Sequence, residues 1–401
     1  MPLAAAALLL AAPARADESG GTELAAVGTV AMGAGVVGGE PASALDLGVD
    51  VAGEHHAIGI GGRVHYLPGA GLRSEDWDEV SEILGIIRYA VLDRRRGQGL
   101  SIAAAAGELG DVRHGHATVL AGYASGLALD HGRFGAQVRS AQDGVAAEAM
   151  IDDLASPRIL GARAAAALSP RLELGVSFSA DIRAPAAGGE AAVGIAAVDA
   201  ALRGDARQRR YRGRLTLDGA SAAGLGAGLH VGAGGSAAIA GGRAELGARA
   251  ELRLSSGGYI PAYFHPLYER DRVVADEGHS QLDLARRGGL GGASALGELE
   301  LRWPGAGAGA IAYASRPVLA DQLVLRAEIP HFRYVQGALW AAVAAGSGPG
   351  RGAALAAEVR ARLPDPLVVS LDVSRLYRSL PEASPEPAWT AIASVGAVFG
   401  E

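Results

Sequence analysis

The sequence predicts an all-β chain that closes into an antiparallel up-and-down transmembrane β-barrel, with an even strand number of about 16 to 20. Three observations predict it. Side chains alternate between apolar and polar with a period of two along most of the chain. The alternating segments are joined by turns too short for a crossover helix. No stretch reaches the ~18 to 20 uninterrupted apolar residues that a membrane-crossing helix needs.

The first residues form an apolar run, Leu3 to Ala12, followed by Pro13 and the small-x-small site Ala14-Arg15-Ala16. That pattern predicts an export signal over residues 1–16, cleaved before Asp17. No Arg or Lys precedes the run, which points to a start codon further upstream. Residues 17–43 read as an N-terminal periplasmic segment, and 44–401 as the barrel.

Alternation places successive side chains on opposite faces of a strand. Between Arg171 and Arg183, one face carries Leu172, Leu174, Val176, Phe178, Ala180 and Ile182, and the other carries Arg171, Glu173, Ser177, Ser179, Asp181 and Arg183. Arg243 to Leu254 repeats this, with Leu246, Ala248, Ala250, Leu252 and Leu254 opposite Arg243, Glu245, Arg249, Glu251 and Arg253. The same period runs through Glu298 to Trp303, Gln322 to Ile329, Glu358 to Leu363, Leu367 to Ser374 and the last strand, Ala388 to Gly400. Ser169-Pro170, Gln142-Asp143-Gly144, Pro304-Gly305 and Pro364-Asp365-Pro366 supply the turns. Counting backward from the last strand gives about 20 candidates, with short turns at alternate connections. Val112 to Tyr123 and Ser221 to Gly242 are ambiguous.

Two segments break the period. Ser74 to Ile87 spaces Trp77, Val80, Ile83, Leu84 and Ile87 as a helix would, which predicts a short helical turn near residues 74–83. Ser255 to Gly289 is longer and more aromatic than a hairpin requires. It either enters the lumen or closes the mouth, offering Tyr259, Tyr263, Phe264 and Tyr268 as loop-binding candidates, or it packs on itself as an external Ω-like loop. Self-packing is the commoner behaviour of such loops and is the expectation.

Closure follows from solvent physics: in lipid, no water satisfies the N–H and C=O groups of a free sheet edge. With Leu, Val and Ala facing lipid, the charged faces point inward. The predicted lumen residues are Arg243, Glu245, Arg249, Glu251, Arg253, Glu298, Glu300, Arg302, Arg326, Glu328 and Arg360. They form either an arginine ladder along a polar path or a salt-bridged interior that plugs itself.

Composition narrows the chemistry. There is no Cys, so disulfides, iron–sulfur and thiolate zinc sites are excluded. The formal charge of −7, with every basic side chain an Arg, disfavours nucleic-acid binding. The Gly-rich runs near Gly107 and Gly224 lack the Lys and following helix of a phosphate loop, and read as relief for close packing in the wall. His114 and His116 share a strand face and His55-His56 are adjacent, but no third ligand stands at a specific spacing, so no metal and no cofactor is expected. Asp152-Asp153 and Asp276-Glu277 read as solvated acids rather than calcium ligands.

At class level the chain resembles bacterial outer-membrane porin-like barrels, on the signal sequence, the alternation throughout, and the terminal strand bearing Trp389 and Phe399. It departs from them in ending Phe399-Gly400-Glu401 rather than on an aromatic residue. Trp303, Tyr313, Trp340, Tyr377 and Trp389 lie near strand ends as an interfacial girdle would. The resemblance implies the outer membrane of a Gram-negative-type bacterium, lipid contact, and handling by periplasmic chaperones and barrel-assembly machinery. The first functional reading is a passive channel for small polar solutes. The second is a plugged or narrow barrel with a structural, adhesive or ligand-binding role. A barrel-embedded hydrolase built on groups such as Ser179, His230 and His331 comes third, and no enzymatic activity is expected.

Overall fold

The computed structural model describes residues 24–399 except 97–98, 206–210, 275–278, 290, 317–318, 333–334, 346–351, 365 and 379–384. The expected signal sequence and Asp276-Glu277 lie outside the described residues.

Twenty strands form the wall. In chain order they are β1 (Ala25–Val37), β2 (Glu40–Ala52), β3 (His56–Leu67), β4 (Ile87–Arg96), β5 (Leu100–Gly107), β6 (Gly135–Gln142), β7 (Val145–Ile151), β8 (Ile159–Ala167), β9 (Leu172–Ala186) and β10 (Gly189–Asp205). They continue with β11 (Tyr211–Ala222), β12 (Gly226–Ile239), β13 (Ala244–Ser255), β14 (Gly292–Trp303), β15 (Gly307–Ala314), β16 (Gln322–Phe332), β17 (Val335–Ala344), β18 (Ala353–Arg362), β19 (Leu367–Arg378) and β20 (Glu386–Phe399). Each pairs antiparallel with its neighbour in sequence, and β1 pairs with β20 from Gly28↔Phe399 to Val36↔Ala391, which closes the barrel. The predicted hairpin at Asp143-Gly144 is present, with φ of 49° and 82° at its two central residues, the left-handed pair that matches strand twist.

The wall begins at Ala25, so residues 25–43, expected ahead of the barrel, supply β1 and the start of β2. Their Gly- and Ala-rich composition carries too few large apolar or charged side chains for the two-residue period to stand out. The short helical turn is found as a 3-10 turn over Ser74–Asp76 followed by α1 (Val80–Leu84), which starts at a reciprocal capping box between Glu79 and Glu82.

The outer face is the apolar one. Leu172, Leu174, Val176 and Phe178 of β9 are exposed while Ser179 and Asp181 are buried, and Leu246, Leu252 and Leu254 of β13 oppose buried Glu251 and Arg253. An exposed apolar belt of this extent is tolerated in lipid and not in water. Trp303, Tyr313 and Trp389 stand on it, but Trp340 and Tyr377 are turned inward and buried, so only part of the expected girdle faces outward. For Trp340 the period is uninformative because both faces of β17 are largely apolar, whereas Tyr377 shares the phase of the exposed Leu367 and Leu371. It is buried because residues 127–129 bond to the end of β19, Tyr377 N–H to Leu127 O and Leu129 N–H to Tyr377 O at 2.9 Å each.

All the long connections leave the wall at the end opposite the chain termini, where the short turns at Gly38-Gly39, Ala187-Gly188 and residues 223–225 also lie, and the connections at the terminal end are all short. Two long connections fold inward. Residues 108–134, between β5 and β6, form a small ladder of Val112–Arg113 with Ala121–Tyr123. Val112 to Tyr123 is thus interior rather than wall. Residues 256–291, between β13 and β14, carry α2 (Tyr268–Asp271) and α3 (Gln281–Arg287), the latter capped by Ser280. The two segments join through backbone bonds, Phe264 N–H to Val119 O at 3.1 Å and Ala121 N–H to Phe264 O at 2.9 Å.

Candidate functional site in the barrel lumen

The inner wall is charged at one level and apolar at another, and that division positions the two inserted segments. Towards the long-connection end, Ala184 of β9, Val193, Ile195 and Ala197 of β10, and Ala220 and Ala222 of β11 face inward and are buried. Strand β10 is apolar on both faces there, which only a covered inner face can sustain. Tyr259, Ile260, Tyr263, Phe264 and Tyr268 provide the cover, together with Leu109, Val112, Leu120 and Tyr123 of the first segment. On the opposite wall Leu127 and Leu267 pack against Val324, Trp340, Ala342, Ala354 and Tyr377. The inserted layer therefore touches both sides of the barrel and forms a plug.

This corrects the expectation of a self-packed external loop. The rings of Tyr259, Tyr263, Phe264 and Tyr268 are at most 1% exposed; they meet one another and Tyr123 at centroid separations of 4.9–6.5 Å, apart from Tyr259, which stacks edge-on to His230. Their faces are taken, and they serve as packing rather than as a platform for ligands. Gly228 of β12 lets Tyr259 approach the wall, since a Cβ there would lie 2.2 Å from its ring.

Polar groups of the plug are matched to the wall. The Tyr268 hydroxyl and Arg272 Nε donate to Asp181 at 2.8 and 3.1 Å. Arg133 donates to Glu269 at 2.7 Å and Asp152 at 2.9 Å, and the Tyr123 hydroxyl donates to Glu269 at 2.6 Å. Burial works against the Glu269 charge, but Arg133 and Arg272 outweigh it and hold the carboxyl below its usual range. Burial and the neighbouring Arg316 push the His265 imidazole well below its ordinary value, so it sits neutral. Above the plug, Asp130 joins Arg73 of the β3–β4 connection to Arg378 of β19, and Ser81 of α1 donates to Asp153 at 2.7 Å. Asp152 and Asp153 are thus structural acceptors.

The predicted lumen residues divide by level. Next to the plug, Glu251 accepts from Arg253 Nε at 2.6 Å and lies 3.1 Å from His230 Nδ1. Arg249 reaches Glu251 and the carbonyl of His116. Glu298 accepts from Arg113 at 2.8 Å, and Arg326 pairs with Asp111 at 2.6 Å. Five of the predicted wall residues therefore hold or adjoin the plug. Arg360 pairs with Glu358. Glu328 is half-buried with no ion pair among the described residues. Towards the terminal end, Glu245 accepts from Arg212 at 2.5 Å and Glu300 from Arg302 at 2.6 Å. Arg243 is not a wall residue: it follows a 3-10 turn over Ala240–Gly242 and is exposed at the barrel rim. The hydrolase candidates do not converge: Ser179 belongs to β9, His230 is engaged with Glu251, and the side chain of His331 lies outside those described.

Below the plug the lumen is hollow. One cavity of about 440 Å³ is lined by Arg203, Arg212, Arg214, Arg249, Arg302 and Glu245 among others. A second, of about 580 Å³, is lined by Asp93, Arg95, Arg139 and Glu148 among others. Arg95, Arg139, Arg203, Arg212 and Arg214 were not singled out in the sequence, although each follows the same inward phase as its strand.

The fold and its interior define a lipid-embedded, porin-like antiparallel barrel with an inserted plug. Comparison of the sequence with protein families gives no match, and comparison with curated proteins gives none. Among solved structures the chain is similar to OpdK of Pseudomonas aeruginosa with vanillate, at 12% identity and TM-score 0.36 over 95% of this chain and 98% of that one. It is similar to OccK2 (OpdF) of the same organism with glucuronate, at 9% identity and TM-score 0.37 over 94% and 96%. It is similar also to Wzi of Escherichia coli, described as a carbohydrate-binding barrel involved in group 1 capsule assembly, at 11% identity and TM-score 0.36 over 95% and 85%. These likenesses are of barrel architecture alone.

Proposed function

We propose that the chain is an outer-membrane barrel closed to free diffusion by its two inserted connections, with a charged chamber open towards the terminal, periplasmic end. The observation that supports this reading is the plug's contact with the whole surround: Arg73–Asp130, Arg133–Asp152, Tyr268–Asp181, Arg113–Glu298 and Arg326–Asp111 tie it to the β3–β4 connection, the β7–β8 connection, β9, β14 and β16. Each of these groups is matched where the plug meets its surround, so docking strands none of the five pairs, and the buried rings packed against the inner wall supply the apolar burial that holds the plug in place. The barrel then serves as a scaffold for its outer connections and as a binding chamber rather than as an open pore. It meets outer-membrane lipid along its apolar belt, and reaches the membrane through periplasmic chaperones and the barrel-assembly machinery.

A passive channel for small polar solutes keeps one observation in its favour, the Arg-lined hollow of about 440 Å³ below the plug. Planar-bilayer recording separates the two readings. The full chain is expected to insert without steady current, and a variant with residues 259–289 replaced by a short Gly-Ser turn to conduct ohmically. Steady ohmic current from the intact chain overturns the closed reading and supports the channel.

A further inference from the structure

Asp199 of β10 and Asp218 of β11 are direct partners across their ladder, both facing inward and both buried. Like charges placed opposite one another destabilise a strand pair unless positive charge lies between them. Arg163 of β8 answers Asp199, donating to its Oδ1 at 2.7 Å and to its Oδ2 at 3.3 Å. Among the described residues Asp218 has no arginine within ion-pair distance. Its Oδ1 lies 2.7 Å from Nδ1 of His116, and its Oδ2, on a fully buried side chain, has no hydrogen-bond partner.

His116 comes from the plug, held in place by neighbouring Gly115 and Ala117 in left-handed conformations and by Arg249 on its carbonyl. Its Nδ1 is 3.9 Å from Oδ1 of Asp199. A tetrahedral ion holding nitrogen and oxygen ligands at ~2.0–2.2 Å spaces them about 3.3–3.6 Å apart, and the separations of 2.7 and 3.9 Å bracket that spacing, so side-chain shifts of about 0.7 Å admit the ion. One imidazole and two carboxylates, carrying an excess of negative charge after Arg163 is counted, match a borderline divalent ion such as Zn²⁺ and leave a fourth position for water.

We propose that His116, Asp199 and Asp218 form a site for a divalent transition-metal ion that fastens the plug to the wall. The ion neutralises the facing aspartates, and Arg163 orients the Asp199 carboxylate. The site stands on this geometry whether or not the barrel conducts.

The test uses the full chain refolded in detergent, stripped with EDTA, then dialysed against Zn²⁺ and analysed for bound metal. About one tightly held ion per chain is expected, with affinity lowered at least about 100-fold by Asp218→Asn and unchanged by a control His55→Gln. Less than about a tenth of an ion per chain in the unmodified protein, or binding that Asp218→Asn leaves intact, overturns the site. If Asp218→Asn does not fold, X-ray absorption of the Co²⁺-loaded unmodified chain decides: one imidazole with oxygen ligands supports the site, and any other ligand set overturns it.

Discussion

The hydroxyl of Tyr268 donates to the carboxylate of Asp181 at 2.8 Å, joining a ring of the inserted segment to the inner face of β9. Both residues are 0% exposed, and Arg272 shares the same carboxylate oxygen. Replacing Asp181 with Ala strands a buried guanidinium and a buried hydroxyl, a loss of about 3–5 kcal/mol. The wall loses one bond, the Arg183 N–H donated to Asp181 Oδ1 at 2.8 Å where the ladder is irregular, while the ladder bonds themselves are made by the backbone and stay. Asp181→Ala is therefore expected to keep the barrel while loosening residues 256–291, read as new tryptic cleavage after Arg270 or Arg272. Protease resistance equal to that of the unmodified chain contradicts this role.

Gly228 makes the same argument by shape instead of charge. Any larger side chain there meets the Tyr259 ring at 2.2 Å, and the ring is 1% exposed within the packed cluster, with its hydroxyl 3.3 Å from Nε2 of His230, so making room moves its neighbours. Gly228→Leu is expected to undock the start of the second inserted segment and raise bilayer conductance, with strand content by circular dichroism unchanged. A silent variant places Tyr259 outside the closure.

Val198 stands 60% exposed near the middle of β10, on the lipid face. An arginine at the midplane of that face costs about 2–4 kcal/mol. Ser236 lines the terminal-end hollow, where an added guanidinium stays hydrated. Urea unfolding in lipid vesicles should show Val198→Arg destabilised by about that amount, and Ser236→Arg within about 0.5 kcal/mol of the parent. Equal effects at the two positions would contradict the assignment of inside and outside, and the opposite order would reverse it.

The wall was legible because period two is a local property: the phase of β13 and β14 can be read from a dozen residues each, and with it the inward placement of Glu251, Arg253 and Glu298. The plug was not legible in that way. Its fate is set by what the inner wall leaves uncovered, and the clue lay in another part of the chain, where Val193, Ile195 and Ala197 keep β10 apolar on its inner face. Asp199 and Asp218 were passed over for a related reason. Each is an ordinary inward acid on its own strand, and only ladder register and the inserted His116, 102 residues before Asp218, bring the three together.

His114, in the first inserted segment, gives the plug an acid-side weakness. Its ring is buried against Gly161 of β8, with Nδ1 unpartnered. Burial, with Arg139 and Arg163 adding like charge, pushes its imidazole down to about 4. In the unfolded chain a histidine binds its proton near 6.5. Above that value both states are neutral and His114 imposes no penalty. As pH falls from 6.5 towards 4 the released segment takes up a proton that the docked one refuses, so docking weakens progressively across that window and levels off below it. Protection factors for residues 108–134, measured by hydrogen exchange and corrected for intrinsic rates, are expected to drop between pH 7 and pH 4.5 while those of the wall strands hold. His114→Gln should flatten that drop, and a fall of the same size in this variant would assign the acid sensitivity to another group.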